Sequence, residues 1–83
     1  MDPKRWARPV TFEENDRGGF RTISSTEEAA RTLLERWPVF GTKAYREARE
    51  VALAVLMGER EPEDARAAFL AAATDAKLYV RRG

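Results

Sequence analysis

The sequence contains no cysteine and no histidine. The first absence excludes disulfides, thiolate metal sites and cysteine nucleophiles. The second removes the side chain that most often moves protons near neutral pH. Serine stands only at Ser24 and Ser25, where helix capping accounts for it, and no base accompanies either hydroxyl to activate it. Long apolar runs are also missing. Val51 to Met57, as long as any, falls far short of the ~20 residues that a membrane span requires. Met1 to Trp6 is charged and leads into no apolar segment, so no signal peptide is read and a cytoplasmic location is expected. Charge of one sign is lacking too: 15 Lys and Arg stand against 14 Asp and Glu, a net of +1 that creates no strong field for nucleic acid or membrane.

What is present is an ordinary globular balance, 43% hydrophobic and 35% charged, in 83 residues. That length accommodates one small domain, residues 1–83, with a loose leader over 1–8 and a basic tail over 79–83. Lys4, Arg5 and Arg8 cluster at one end, and Lys77, Arg81 and Arg82 at the other. Arginine outnumbers lysine and alanine is abundant. A GC-rich genome explains both; selection for bidentate anion contacts is the sharper reading of the arginines.

The pattern predicts an α+β fold of order β-β-α-α-α: a two-stranded antiparallel β-hairpin followed by three α-helices. Pro9–Glu13 alternates apolar and polar residues, as a half-buried strand does. Asn15-Asp16-Arg17-Gly18-Gly19 is rich in turn formers, and Phe20–Ser24 supplies the second strand. Phe20 and Thr22 share one face of that strand, Arg21 and Ile23 the other, and which face is buried stays open. Ser25 with Glu28, or equally Ser24 with Glu27, has capping-box spacing and announces a helix running to about Trp37, where Pro38 ends it. Its stripe is Ala30, Leu33, Leu34 and Trp37. A second helix spans Thr42 to Met57 with Gly58 as its stop; its face contains Ala48, Val51, Ala52, Val55 and Leu56, and its second half is apolar nearly all round. Pro62 opens a third helix with Glu63 and Asp64 in its first turn. Ala65, Phe69, Ala72 and Ala73 mark its buried stripe, and Leu78-Tyr79-Val80 continues or ends it. With Val10 and Ile23 from the hairpin, these stripes form the expected core.

Several of these residues together resemble a known pattern: Trp6…Pro9-Val10, Ser25…Glu28-Ala29-Ala30…Leu33-Leu34…Trp37-Pro38, Gly41…Tyr45…Ala48, Leu56…Gly58, and Ala65-Arg66…Ala68-Phe69…Ala72-Ala73…Ala76. The sequence is similar in this to the small alphaproteobacterial proteins that form the family named domain of unknown function 982. The resemblance covers nearly the whole chain and supports the fold, while implying no particular activity. Many members of that family carry a cysteine in the second helix, about where Ala52 stands here, so any thiol chemistry there does not extend to this sequence.

No constellation points to catalysis, and the protein is expected not to be an enzyme. The acidic pairs Glu13-Glu14, Glu27-Glu28 and Glu63-Asp64 lie at strand ends and helix starts, where solvated carboxylates are common. Glu13, Glu14 and Asp16 lack the spacing of a calcium loop. Gly18-Gly19 is no phosphate loop, and Gly41-Thr42-Lys43 reads as a helix cap before it reads as an anion site. No metal and no cofactor is expected, and no small-molecule substrate is evident.

The biological role is not written in these residues. What they favour is a small non-catalytic protein-interaction module, self-associating as a homodimer or meeting another protein, because a lone hairpin leaves edges that invite pairing. Two copies aligned across a two-fold axis would give a four-stranded sheet backed by six helices. The candidate interface is Trp6, Arg8, Phe12, Phe20 and Arg21, with Trp6 standing either as a lid on the core or as an aromatic anchor. The alternative is a weakly nucleic-acid-binding accessory protein. The near-neutral charge and the absence of a row of base-reading side chains on the third helix disfavour it.

Overall fold

A computed structural model of the chain describes residues 5–14, 19–35, 37 and 41–81. Its elements are β1 (Arg5–Glu14), β2 (Gly19–Ser25), α1 (Thr26–Glu35), α2 (Lys43–Leu56), α3 (Pro62–Asp75) and β3 (Val80–Arg81). The fold is α+β, with a hairpin leading into three helices as expected and a short third strand added. The sheet order is β2-β1-β3, and both pairings are antiparallel. The turn over 15–18 and the segment 38–40 lie outside the described residues.

Two of the expected boundaries need correction. Residues 5–8 of the supposed leader are strand, and Val80–Arg81 of the supposed tail pair with Phe12 and Thr11 of β1. The alternation is lost in the N-terminal half of β1 because its register shifts: five steps from Arg5 to Val10 oppose only two from Ser25 to Ile23 on β2. Pro9 falls in this irregular stretch, where its missing N–H costs no ladder bond.

α1 packs on β2, α3 on β1 and β3, and α2 packs chiefly on the other two helices. Phe69 of α3 is the hub of the core. Its ring lies 5.8 Å from Trp6, 5.8 Å from Phe12 and 5.2 Å from Trp37 (centroid to centroid), all tilted or edge-on. Such offset geometries are each worth about 0.5–1.5 kcal/mol beyond area burial. Val10, Ile23, Ala29, Leu33, Tyr45, Ala48, Val55, Ala65, Ala72 and Ala73 complete this cluster, and Ala52 is likewise buried.

The stripe of α1 is rotated from the expected one. Thr26, Ala29, Thr32 and Leu33 are buried, Ala30 is half-buried, and Leu34 is 65% exposed. Two polar contacts fix this phase. Thr26 Oγ1 accepts from Trp6 Nε1 at 3.0 Å, and the Leu33 carbonyl accepts from the Tyr45 hydroxyl at 2.8 Å. On α2, Val51 is half-buried and Leu56 exposed, because that helix buries only the narrow stripe Tyr45, Ala48, Ala52 and Val55 against its helical neighbours.

Helix ends follow local chemistry. Thr42 Oγ1 accepts from Tyr45 N–H at 3.1 Å and caps α2. Both α2 and α3 finish in Schellman turns: Gly58 N–H and Glu59 N–H bond the Val55 and Ala54 carbonyls, and Lys77 N–H and Leu78 N–H bond those of Thr74 and Ala73. The left-handed residue is Gly58 (φ 82°) in the first case and Lys77 (φ 63°) in the second. The latter turns the chain out of α3 and into β3.

Candidate functional site

Ladder geometry decides which backbone groups the sheet leaves open. Glu13 N–H donates to the Tyr79 carbonyl at 2.7 Å, so the polar groups of Glu13 face β3 and turn away from β2. Pairs in an antiparallel ladder alternate. The pairs Glu13↔Phe20 and Thr11↔Thr22 are therefore the close, non-hydrogen-bonded kind, which agrees with the 2.9 Å contact between the two threonine hydroxyls. It follows that Phe20, Thr22 and Ser24 aim their backbone groups outward from the β2 edge.

Ser24 does not leave its outward N–H free. Glu28 Oε1 accepts from Ser24 N–H at 2.7 Å and from Ser24 Oγ at 3.0 Å, while Ser25 Oγ accepts from Glu28 N–H at 3.2 Å. The cap thus uses Ser25 and Glu28, with the carboxylate reaching back one residue further to the sheet edge. The Ser24 backbone hydrogen bond, foremost, holds the Glu28 carboxyl below its ordinary pKa, with help from the Ser24 hydroxyl and the charges of Arg5 and Arg31. The opposite side of the sheet is closed differently. β3 reaches only Thr11 and Phe12, and the Arg8 carbonyl beyond it accepts from Arg66 Nε at 2.8 Å.

The expected interface residues separate. Trp6 and Phe12 are core, at 4% and 2% exposure, which corrects their assignment as interface: Phe69 and Trp37 surround them and the Trp6 N–H is consumed by Thr26. Arg21 is half-buried opposite Phe12 and already engaged within the molecule. Arg8 is exposed in the irregular part of β1. Phe20 is 50% exposed, with the Arg81 guanidinium carbon 5.1 Å from its ring centroid. Leu34, expected in the core, is exposed, as are Leu53 and Met57 of α2 and its end, which were assigned to no face.

Three surface clefts differ in charge. One of about 220 Å³ between β2 and α1 contains Arg21 and Arg31 with Glu28 and Glu35, and is balanced. One of about 450 Å³ between α2 and α3 contains Glu47, Glu50 and Arg60. The third, about 640 Å³ between α3 and the β1–β3 side of the sheet, contains Arg8, Arg66 and Arg81 and, among the described residues, no acid. Neither the tail arginines nor Arg66 declares this grouping in sequence; the basic character of both chain ends was its only signal.

Several carboxylates have structural partners. Glu27 pairs with Arg31 at 3.9 Å, Asp64 with Arg60 at 3.4 Å, and Glu63 with Arg66 at 3.7 Å. Asp64 also accepts from Glu61 N–H at the start of α3. Among the described residues no group of three His, Cys, Asp or Glu side chains is disposed to hold a metal ion; Asp16 lies outside them. Among the same residues no helix is long and apolar enough to cross a membrane.

The architecture is shared with a solved structure, the NMR structure of Agrobacterium tumefaciens protein Atu1219. The two are 32% identical and superpose with a TM-score of 0.80, over 99% of this chain and 81% of that one. No functionally curated protein matches. The family described as a protein of unknown function, DUF982, matches residues 8–80. The chain belongs to the DUF982 family.

Proposed function

We propose that this protein is a non-catalytic interaction module of the bacterial cytoplasm that self-associates through the β2 edge. The observation that supports this reading is the outward backbone of Phe20 and Thr22, to which no described residue is hydrogen-bonded. Natural sheets protect such edges with proline, lysine, bulges or brevity. β2 has seven residues, no proline and no lysine. A second copy pairing antiparallel about Thr22 sets Phe20 against Ser24 and Arg21 against Ile23, so the one charge on the strand does not face itself. Because β3 occupies the far side of β1, the paired sheet would have six strands in place of the four expected from bare hairpins.

The test is size-exclusion chromatography with light scattering at two protein concentrations and two salt levels, on the native chain and on Thr22→Pro. Proline removes the outward N–H and leaves the β1 ladder intact. A salt-insensitive dimer that T22P turns into a folded monomer supports the reading. A native chain that is monomeric at about 1 mM, a concentration that would populate even weak pairing, overturns it, as does a T22P dimer of unchanged affinity.

A further inference from the structure

The cleft between α3 and the β1–β3 side of the sheet is unlike the rest of this surface. The chain as a whole has a net charge of +1, yet the charged residues of this cleft are three arginines. The other two clefts offset each arginine with at least one glutamate. Arg66 has one carboxylate beside it, that of Glu63, and among the described residues no ion pair offsets Arg8 or Arg81.

The arginines are not equivalent. Arg66 is largely sequestered, its side chain 14% exposed, and its Nε–H is locked onto the Arg8 carbonyl. That bond fixes the plane of the guanidinium and leaves the two terminal nitrogens, of which only Nη1 has an acidic neighbour, the exposed Glu63 at 3.7 Å. Among the described residues the Arg8 side chain has no hydrogen-bond or ion-pair partner. Arg81 borders the cleft while its guanidinium leans on Phe20. A fixed guanidinium and one unpaired among the described residues, lining the same cleft, suit an oxyanion, since phosphate and carboxylate accept paired N–H donors from arginine. The remaining wall is apolar: Pro9, Val10, Leu70 and Val80, with the Thr74 hydroxyl as a further donor. The volume, about 640 Å³, lies in the range of small-molecule sites.

We propose that this cleft binds an amphiphilic organic anion, with a phosphate or carboxylate head against Arg8 and Arg66 and an apolar body along Val10, Leu70 and Val80. The alanine stripe of α3 packs inward and leaves no room, whereas Arg66, Leu70 and Thr74 recur every fourth residue on a different face of the same helix. The site is therefore independent of the β2 edge and of whether the protein self-associates.

The experiment is an NMR titration of the full-length, isotope-labelled chain with phenyl phosphate, following backbone amides and the Arg66 Nε–H. Inorganic phosphate and phenol are titrated separately, as the head and the body alone. The expected result is saturable shifts at Val10, Leu70, Val80 and Arg66 Nε, with a Kd of about 1 mM or tighter. Each half-ligand should bind at least about tenfold more weakly, as the loss of either contact set implies. Arg8→Gln, an exposed substitution, should weaken binding about threefold or more, and Arg31→Gln in the balanced cleft should leave it unchanged. Shifts that do not saturate by about 10 mM, equal affinity for inorganic phosphate, or an R8Q chain that binds like the native one would each overturn the proposal.

Discussion

The two sides of this sheet meet the same physical problem with opposite chemistry. On the β2 side the exposed group nearest the helix is a donor, the Ser24 N–H, and an acid, Glu28, closes it. On the β1 side it is an acceptor, the Arg8 carbonyl, and a base, Arg66, closes it. The acid acts locally: Glu28 is four residues from Ser24 and belongs to the cap of α1. The base acts across 58 residues and ties α3 to the start of the chain. The clefts inherit this difference. The one beside Glu28 is charge-balanced, and the described lining of the one beside Arg66 holds arginines and no acid, with Glu63 paired to Arg66 from outside it. Edge protection and binding character thus come from the same side chains. What remains unprotected, Phe20 and Thr22 on β2, is the stretch that neither device reaches.

Removing the long-range closure should have the largest effect on stability. Arg66→Met keeps the aliphatic stem against the cleft but loses the Nε–H to Arg8 and the pair with Glu63. A hydrogen bond from a charged donor in a half-buried place contributes about 1–2 kcal/mol, and R66M should lose that much in urea unfolding. Glu63→Gln should lose less than about 0.5 kcal/mol, because its ion pair with Arg66 is exposed on the acid's side. Comparable losses from R66M and E63Q would show that the ion pair, and not the strand closure, is what Arg66 contributes.

The local closure should cost less and depend on pH. Glu28→Ala removes the carboxylate that holds Ser24 N–H, for which capping interactions suggest about 1 kcal/mol at neutral pH. The sign follows from the lowered pKa: the unfolded glutamate titrates near its ordinary 4.5 and the folded one below it, so the stabilisation is complete above that value. It fades as pH falls through the folded pKa. E28A should therefore differ from the native chain at pH 7 and converge with it in acid, as followed by thermal unfolding. The freed Ser24 N–H also lengthens the open edge, so E28A should self-associate more tightly in light scattering. A stability difference between E28A and the native chain that is the same at both pH values would remove Glu28 from the account of this edge.

How much of this was legible in the sequence depends on how far apart the determinants lie. α2 and the start of α3 could be placed within a residue or two, because Thr42, Gly58 and Pro62 act within one turn of where they stand, whereas α3 ends at Asp75, short of the expected Leu78-Tyr79-Val80. The hairpin and the Ser25–Glu28 cap were equally local. β3 and the N-terminal half of β1 were not legible: each is held by contacts from the other end of the chain, Tyr79 to Glu13 and Arg66 to Arg8. The phase of α1 was misjudged for a related reason. Thr26 and Thr32 look solvent-facing by type, but Thr26 is buried as the acceptor for a tryptophan 20 residues earlier, which leaves Leu34 outside. The same tryptophan reads in sequence either as a core lid or as an interface anchor, because nothing near it in sequence covers it, and the structure makes it the lid. The cationic cleft needed three arginines from β1, α3 and β3, a grouping that only the topology supplies.

The end of α3 offers the smallest change and tests how firmly the short strand is held. α2 stops at Gly58, which takes φ 82° without a side chain to crowd the backbone. α3 stops at Lys77 in the same Schellman geometry, φ 63°, where a Cβ is disfavoured. That substitution hid the helix end in sequence and directs Leu78 and Tyr79 toward β1. Lys77→Gly relieves the strained backbone but also loosens the unfolded chain, so the net gain should be small, about 0.5–1 kcal/mol. It should appear as a higher thermal midpoint together with slower exchange of the Glu13 amide, which donates to Tyr79 and reports directly on β3 docking. Gly58→Ala, the mirror experiment at α2, should destabilise by a similar amount. If K77G instead lowers stability, the lysine side chain is holding the turn in place of the missing glycine, and the closure of this side of the sheet depends on a second cation besides Arg66.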